Sequence, residues 1–330
     1  MAQTGLAQVP PGVAAFYDRN LLERAQPADV HGRFGQKRPI AQRNGNQIKF
    51  RRYSQLAVAT TALTEGVTPS GSQLAVTDVT ATLAQYGDFI QLSDMVSMTN
   101  QDPVVTEATD VLGDQAGTTI DMIRRDVLVA GTNVAYAGGV ASRILTVNKL
   151  TAADLDKAIR FLKNQNAKFI KSMMMGSDKV GSGAIRKAYI ALVHPDVEYD
   201  LEQITGYRAV SDYGSQEGVI DDEIGAYKNI RFVTSTNCKI FADATTAATA
   251  GFKVSGSGKN DVYATLIFAD NAYGVCPLSG QAMNTYVKAL GSAGTADPLE
   301  QRSTVGWKAT TTTQILNQAW MVRLESLASL

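Results

Sequence analysis

The 330-residue chain is 45% hydrophobic, enough apolar surface for one large domain or two ordinary ones, and this composition excludes a disordered protein. Its 31 basic and 31 acidic residues give a formal net charge of zero, so no overall field draws it to nucleic acid or an anionic membrane. No apolar run approaches the roughly 20 residues that a membrane-spanning helix needs.

Charge is nevertheless distributed unevenly along the chain. Up to Leu56, nine basic residues stand against three acidic ones, a local balance of +6. Over residues 57–130, ten acidic residues stand against two arginines, a local balance of −8. This pattern fits two separately solvated surfaces, or a basic segment of one copy that contacts the acidic segment of another.

Residues 1–43 form a predicted N-terminal arm. Residues 13–25 are a short helical candidate, and the basic stretch after them is interrupted by Pro39, which predicts an extended segment without its own core. The first residues carry neither a basic leader nor the apolar core of a secretion signal. Because Cys238 and Cys276 form no CxxC motif, the sequence predicts synthesis in a reducing cytosol.

Residues 44–94 predict a long β-hairpin. Alternating apolar residues form a first leg up to Ala59 and a return leg from Leu74, with a polar, nearly uncharged tip between them. The alternation slips once on the return leg, after Val76, which indicates a bulge or a twist. The return leg continues through an apolar stretch in which Gly87 allows a bend.

The most regular helical pattern spans residues 103–130, with Asp102 at the cap and Pro103 at the first helical position. At 1.5 Å per residue such a helix is roughly 42 Å long and can act as a spine. Gly113 and Gly117 indicate either close approach by another element or two tolerated glycines. The predicted apolar stripe consists of Val104, Ala108, Val111, Leu112, Ala116, Ile120, Ile123, Val127 and Ala130.

The pattern beyond residue 150 changes to alternating helices and strands. Thr151 and Asp154 resemble a capping box that opens a second helix, and Pro195 begins a third. Apolar strands are predicted in AYIALV, NIRFVTS, DVYATLIFAD and AYGVCPL, which indicates an α/β unit over residues 186–290.

Two segments of this second half stand out from the α/β pattern. Residues 242–259 form a low-complexity Ala/Thr/Gly/Ser insert. The final segment, GWKATTTTQILNQAWMVRLES, predicts one long strand that has nowhere nearby in sequence to pair and therefore returns to the first domain.

The search for catalytic and metal-binding motifs gives no positive candidate. His31 and His194 have no carboxylate and nucleophile at triad spacing, and His194 before Pro195 is better explained as a strand-to-helix junction. The Gly-rich stretches 176–183 and 255–261 lack the full phosphate-loop pattern. Zinc would need more Cys and His. The sequence therefore predicts a protein that is not an enzyme and that binds neither a metal nor a cofactor.

The order of the parts resembles the major capsid proteins of tailed phages with the Hong Kong 97-type fold, a family typified here by the coliphage N-four major capsid protein. The stretches that carry the resemblance are FYDRNLLERA (16–25), HGRFGQKRPI (31–40), IKFRRY (48–53), LTEGVTP (63–69), QYGDFIQLSD (85–94), RDVLVAGTNV (125–134) and DPLEQRSTVGWK (297–308). They extend over nearly the whole chain. The insert at 242–259 has no matching pattern.

The resemblance implies an α+β fold with five parts. These are the arm (1–43), an extended hairpin called the E-loop (44–94), a peripheral domain with the spine helix (95–185), an inserted α/β axial domain (186–290) and a return segment that completes the peripheral domain (291–330). The loop GYRAVSDYGSQEG is the candidate for the centre of the axial ring. The E-loop is expected to lie across a neighbouring subunit.

The function that the resemblance implies is a virion shell, made in the host cytoplasm, of pentamers and hexamers enclosing double-stranded DNA through non-specific contacts. Scaffolding, portal and decoration proteins are the other expected partners, and no membrane is involved. The inter-subunit contacts are predicted at Lys49, Arg51, Arg52, Glu65, Asp88, Asp94, Glu107 and Asp110. Two alternatives remain: an encapsulin-like nanocompartment shell around a cargo enzyme, and an isolated α/β hydrolase.

Overall fold

The computed structural model describes residues 29–54, 56–68, 70–95, 104–174, 182–213, 219–256, 258–292 and 297–330. Its described α-helices are α1 (Val104–Val129), α2 (Ala152–Asn164) and α3 (Pro195–Glu202). The strands are β1 (Gln36–Lys37), β2 (Gln47–Tyr53), β3 (Val76–Thr82), β4 (Ala84–Ser93), β5 (Val134–Tyr136), β6 (Ile170–Met174), β7 (Ser182–Val193), β8 (Tyr207–Ala209), β9 (Glu223–Tyr227), β10 (Ile230–Thr234), β11 (Ile240–Phe241), β12 (Val262–Phe268), β13 (Tyr273–Pro277), β14 (Asn284–Lys288), β15 (Arg302–Ile315) and β16 (Met321–Ser326).

The largest sheet has nine strands in the order β5-β16-β12-β7-β10-β9-β8, with β11 paired to β12 and β6 paired to β7. Strands β7 and β10 are parallel, as are β5 and β16, and the other pairs are antiparallel. Apolar residues of α2 and α3, among them Leu155, Leu162, Val197 and Leu201, are buried in one core cluster with residues of this sheet. A second cluster joins Leu128 of α1 to other residues of the same sheet. The sheet is therefore packed on both faces.

The second sheet has five strands, β1-β13-β15-β14 with β4 paired to the other edge of β15. Helix α1 packs on one of its faces, where Leu112, Ala116 and Ile120 share a core with Val305 and Trp307 of β15. The alternation of β15 places its odd-numbered residues toward the helix and its even-numbered ones on the opposite face. That opposite face is called the open face below.

The spine helix is confirmed over Val104–Val129, and the predicted cap at Asp102 and Pro103 lies outside the described residues. The predicted stripe is only partly right. Val111 is 59% exposed, whereas the buried side includes Val105 and Thr109. The side of the helix that contacts the sheet lies one residue position round the helix axis from the row of Val104 and Val111. A pattern of apolar residues alone does not reveal this offset. Gly113 and Gly117 both lie on the buried side.

The hairpin is confirmed as the antiparallel pair β2–β3, with seven facing residue pairs from Gln47↔Thr82 to Tyr53↔Val76. The register does not shift, so of the predicted bulge or twist on the return leg the bulge is wrong, and the twist stays a prediction. The first leg ends as a strand at Tyr53 rather than at Ala59. The continuation β4 leaves the hairpin and pairs with β15 along its whole length.

The structure explains the glycine at position 87 by something other than the predicted bend. It stays in regular register opposite Lys308, and a Cβ at this position would lie 2.5 Å from the carbonyl oxygen of Trp307. The close approach of β15 therefore requires a glycine there.

Local signals in the second half predicted the elements well. Thr151 caps α2 by accepting a hydrogen bond from the Asp154 N–H, and its hydroxyl donates to the Asp154 carboxylate at 2.6 Å. His194 caps α3, since its Nδ1 accepts from the Asp196 N–H at 3.1 Å, with Pro195 in the first turn. The four predicted apolar strands are confirmed as β7, β10, β12 and β13.

The final segment was predicted wrongly as one strand without a nearby partner, but its predicted return to earlier parts of the chain is confirmed by the pairing with β4 and β5. It forms β15, which pairs with β4, β13 and β14, and then β16, which pairs with β5 and β12 in the other sheet. Trp320 lies in a short 3-10 turn between the two. Strands β13 and β14, from the predicted 186–290 unit, thus belong to the five-stranded sheet. The domain boundaries themselves remain a prediction.

The insert at 242–259 is tied into the fold rather than loosely attached. Asn260 is completely buried and holds the insert through Thr245 and Thr249. Phe252 forms a bridge to Ser329, and the Lys253 N–H donates to the Ala328 carbonyl at 3.1 Å. The Ala/Thr composition hides this order, because the contacts come from main-chain groups, threonine hydroxyls and one asparagine.

The described part of the arm also joins the core. Strand β1 pairs in parallel with β13, and Val30, Phe34 and Ile40 are buried. The helical candidate at residues 13–25 lies outside the described residues, as do most of the stretch 176–183 and the end of GYRAVSDYGSQEG. The beginning of that predicted loop is strand β8 followed by a 3-10 turn over Val210–Asp212.

Candidate inter-subunit surface

The hairpin has one apolar and one polar face at its root. Ile48 faces Ala81 and Phe50 faces Val79 across the two strands, and these pairs point the same way. A Cβ on Gly274 of β13 would lie 2.9 Å from the tip of the Phe50 ring, so this ring lies directly on the open face of the five-stranded sheet. The root is thereby anchored to the body of the molecule.

The predicted basic cluster is divided between the two faces. Lys49 and Arg51 lie on the outward face, whereas Arg52 follows Phe50 on the other. Arg51 donates from Nε and Nη2 to the Asp78 carboxylate across the strands, at 3.0 and 3.3 Å. This hydrogen bond lowers the pKa of Asp78 below its ordinary value. One predicted contact residue therefore already has an ion-pair partner in its own hairpin.

Beyond Tyr53 the hairpin carries a tip, residues 54–75, whose described residues form no strand and are all exposed. A turn over residues 64–67 closes it, with a hydrogen bond from the Val67 N–H to the Thr64 carbonyl at 3.2 Å and a positive φ at Gly66. Glu65 is its one charged residue. Among the described tip residues, the large apolar side chains that are exposed are Leu56, Val58, Leu63, Val67 and Leu74. The sequence interpretation assigned Leu56, Val58 and Leu74 to the strands of the legs and treated the residues between as polar, so it did not expect an exposed apolar tip.

The predicted acidic residues lie around α1 and β4. Asp88 accepts a hydrogen bond from Nε2 of Gln115 on α1 at 2.7 Å, and Gln115 Oε1 accepts from the Trp307 indole at 3.2 Å. Asp94 follows β4 and accepts from the Met95 N–H at 2.7 Å. Asp88 therefore lies on the side of the five-stranded sheet that α1 covers.

Three further carboxylates share one face of α1. Glu107, Asp110 and Asp114 lie at three- and four-residue spacing, with exposed Val111 between them. The first of them is in the first turn, where negative charge interacts favourably with the helix dipole. This face is called the acidic face of α1. The structure thus brings Asp88, Glu107 and Asp110 to one side of the sheet, and places Glu65 on the hairpin tip.

Both histidines have structural positions. His31 is completely buried, with Nδ1 2.9 Å from Asp121 Oδ1, and its own N–H donates to the same oxygen at 2.7 Å. Asn237 donates to Asp121 Oδ2 at 2.9 Å, and Tyr273 donates to the His31 carbonyl at 2.6 Å. This network joins the arm, α1 and both sheets. Sequence reasoning missed it, because 90 residues separate His31 from Asp121.

The second histidine is partly buried at the start of α3. Burial lowers the pKa of His194 against the opposing influence of the Asp196 carboxylate, which is itself bound to Lys253 and Tyr263. Its Nδ1 is used in the helix cap. The ring therefore positions a backbone turn.

Within the described ranges, no three side chains of His, Cys, Asp or Glu are grouped closely enough to hold a metal ion. Among the helices of the same part of the chain, none combines the length and the apolar character that crossing a bilayer requires.

Comparison with known families decides the classification. A family profile described as phage capsid protein matches residues 76–323, about three quarters of the chain. The chain belongs to the phage capsid protein family. No curated protein sequence matches this capsid protein significantly.

Solved structures similar to the capsid protein are also phage capsids. The capsid of Ralstonia phage GP4 superposes with a TM-score of 0.67 at 11% identity, covering 90% of this chain and 88% of that one. The head structure of Helicobacter pylori bacteriophage KHP40 gives 0.60 at 14%, with coverage of 89% and 87%. The cyanophage Pam1 capsid gives 0.58 at 15%, with coverage of 100% and 96%. Because these sequence identities are low, the similarity to these structures shows a shared fold and nothing further.

Proposed function

We propose that the chain is the major capsid protein of a tailed phage, with a Hong Kong 97-type fold, and that it assembles into the pentamers and hexamers of an icosahedral head around double-stranded DNA. The observation that carries the proposal is the hairpin tip, which exposes five large apolar side chains on a segment with no core of its own. Such a segment is stabilised when it lies on another copy.

The charge distribution supports the same arrangement. Lys49 and Arg52 on the hairpin are exposed, and the acidic face of α1 presents carboxylates around Val111. A head-to-tail contact between these surfaces joins a basic and an acidic patch, and repetition of one such contact closes into rings. In this arrangement Lys49, Arg51, Arg52, Asp88, Asp94, Glu107 and Asp110 lie at the interface between subunits.

The energetics favour a multivalent shell over an isolated dimer. Burying one Val or Leu side chain contributes about 1.5–3 kcal/mol, whereas association costs about 4–15 kcal/mol in lost freedom. One tip alone therefore makes a weak contact. A subunit that gives its hairpin to one neighbour and receives another engages several contacts at once, which multiplies the stability of the assembly.

The role of such a protein is structural rather than catalytic. A net charge of zero suits a shell that holds DNA by weak, non-specific contacts and later releases it. Scaffolding, portal and decoration proteins would be its partners, and the virion its location. The match to a phage capsid family supports a phage head over the nanocompartment alternative.

Electron microscopy and light scattering of the purified chain test the proposal. We expect closed, megadalton shells with five- and six-fold clusters of subunits. A protein that remains a monomer of 35.3 kDa at every concentration and salt condition would refute it.

A further inference from the structure

The open face of the five-stranded sheet carries two neighbouring cavities that share Gln85 in their linings, and together they are called the groove below. At one end the hairpin root covers it, where Phe50 lies on Gly274. Beside the root is a cavity of about 830 Å³ whose lining includes the side-chain amides of Asn46, Gln85 and Gln281 as well as apolar surface from Leu83 and Leu278. Gln85 also lines a second cavity of about 410 Å³ further along β4 and β15. The groove therefore runs from the hairpin root along the sheet.

The second cavity is a trough with aromatic walls and a glycine floor. The strand register places Phe89 of β4, Gly306 of β15 and Tyr286 of β14 in one row. With strands about 4.8 Å apart, the two walls are about 10 Å apart. A Cβ on Gly306 would lie 2.7 Å from Cβ of Phe89, so the floor cannot carry a side chain in this arrangement. The trough has room for aliphatic side chains between the two rings.

These walls are exposed in the isolated chain. Phe89 is 64% exposed and Tyr286 is 40% exposed. Phe89 is also out of phase with Tyr86, Ile90 and Leu92, which point to the helix side of β4. An aromatic residue directed away from the core is typical of a contact surface.

The tip of the hairpin has the matching chemistry. Leu63 and Val67 flank its closing turn and are 78% and 62% exposed, so the tip does not fill the trough of its own chain. Glu65 lies between them, and Lys308 lies at the rim of the trough with Nζ 5.4 Å from the Tyr286 ring centroid. Tip and trough are therefore complementary in both apolar character and charge.

The amide-lined part of the groove suits the segment that leads to the turn. Side-chain amides both donate and accept hydrogen bonds, so they can pair with the main chain of an extended segment. The described tip residues 56–63 form no strand and expose such a main chain.

We propose that the turn at residues 64–67 of one copy docks in the Phe89–Gly306–Tyr286 trough of a neighbouring copy, with Glu65 paired to Lys308. The inference rests on the proposed function, because it needs a second copy within reach of the hairpin. To the proposed function it adds the site that receives the tip and the ion pair that fixes where in the trough the tip binds.

Charge exchange in the full-length chain tests the pair. Glu65→Lys and Lys308→Glu alone should each raise the protein concentration needed for shell formation by about fivefold, and together they should restore it. The matched control combines Glu65→Lys with Lys228→Glu, an exposed lysine of the other sheet, and should give no rescue. Additive effects of Glu65→Lys and Lys308→Glu would overturn the pairing.

Cross-linking between two differently marked chains tests the contact directly. Mixed shells of a Glu65→Cys chain and a Lys308→Cys chain should form covalent dimers under mild oxidation, whereas either chain alone should not, since Cys238 and Cys276 are buried. Shells without this cross-link would place another segment or protein in the trough and reject the inference, while leaving the proposed function intact. Failure of the wild-type chain to form shells would refute both.

Discussion

Nδ1 of His31 lies 2.9 Å from Oδ1 of Asp121, and both side chains are completely buried. The pair connects the described start of the chain to the C-terminal half of the spine helix, and Asn237, from the segment between β10 and β11, donates a further hydrogen bond to Asp121. A buried carboxylate of this kind is stable only while its donors remain in place.

Replacing His31 by Ala should therefore destabilise the unassembled subunit by about 1–3 kcal/mol, because Asp121 stays buried and loses its contact with Nδ1 of the imidazole, whereas the backbone N–H of residue 31 still donates to it. Urea unfolding of wild-type and variant subunits measures the difference. The control is Lys228→Ala, which removes an exposed, solvent-screened ion pair with Asp156 and should have a much smaller effect. Equal effects of the two substitutions would contradict the assigned role of the buried pair.

Acid should weaken the subunit through the same carboxylate. Burial raises the pKa of Asp121, but the hydrogen bonds and charge of His31 outweigh this effect and hold the pKa below its ordinary value of 3.8. A lowered folded-state pKa gives stability that is fully present above pH 3.8 and is lost as pH falls through the folded-state value.

The free energy of unfolding of wild type relative to Asp121→Asn should accordingly be constant from pH 7 to about pH 5 and decrease below pH 3.8. Unfolding curves collected across this range provide the measurement. A difference that stays constant down to the lowest accessible pH would show that Asp121 does not titrate with the assigned shift.

The charges of the hairpin legs should affect assembly rather than folding. Replacing Arg51 and Arg52 together by Glu should leave the subunit folded but impair shell formation or lower the salt tolerance of the shells. The exchange Arg51→Glu with Asp78→Arg is the matched control, since it preserves the ion pair inside the hairpin. Shells of the Arg51/Arg52 variant with wild-type salt tolerance would remove these arginines from the interface.

Deleting residues 62–72 should cost little subunit stability, because the described residues of this segment are all exposed. It should abolish closed shells, since the apolar turn is lost. A second variant, in which a Gly/Ser linker of the same length replaces these residues, distinguishes the loss of the apolar contact from the shortening of the hairpin. Thermal unfolding and electron microscopy are the readouts, and normal shells from the deletion variant would disprove the role of the tip.

Several helices and turns could be predicted from the chemistry of residues that are neighbours in the sequence. The Thr151 cap, the His194–Pro195 junction and the spine helix follow from neighbouring residues, so they were predicted from short windows. The hairpin followed from alternation and turn residues in the same way.

Contacts between distant segments were beyond such reasoning. The pairing of β15 with β4 and the network around Asp121 depend on how the sheets meet in space, which no local pattern encodes. The exposed wall at Phe89 did leave a signal, an aromatic residue out of phase with its strand, but its partner Tyr286 lies far away along the chain.

Strands β15 and β16 follow each other closely in sequence and complete two different sheets. During translation, neither sheet can acquire its full set of partners until the ribosome has produced residues 302–326. In a nascent polypeptide both sheets therefore remain incomplete until synthesis has passed this point. The trough proposed to receive the hairpin tip is incomplete for the same period. Since Gly306 and Lys308 belong to β15, the trough on the five-stranded sheet cannot form before this strand has been made.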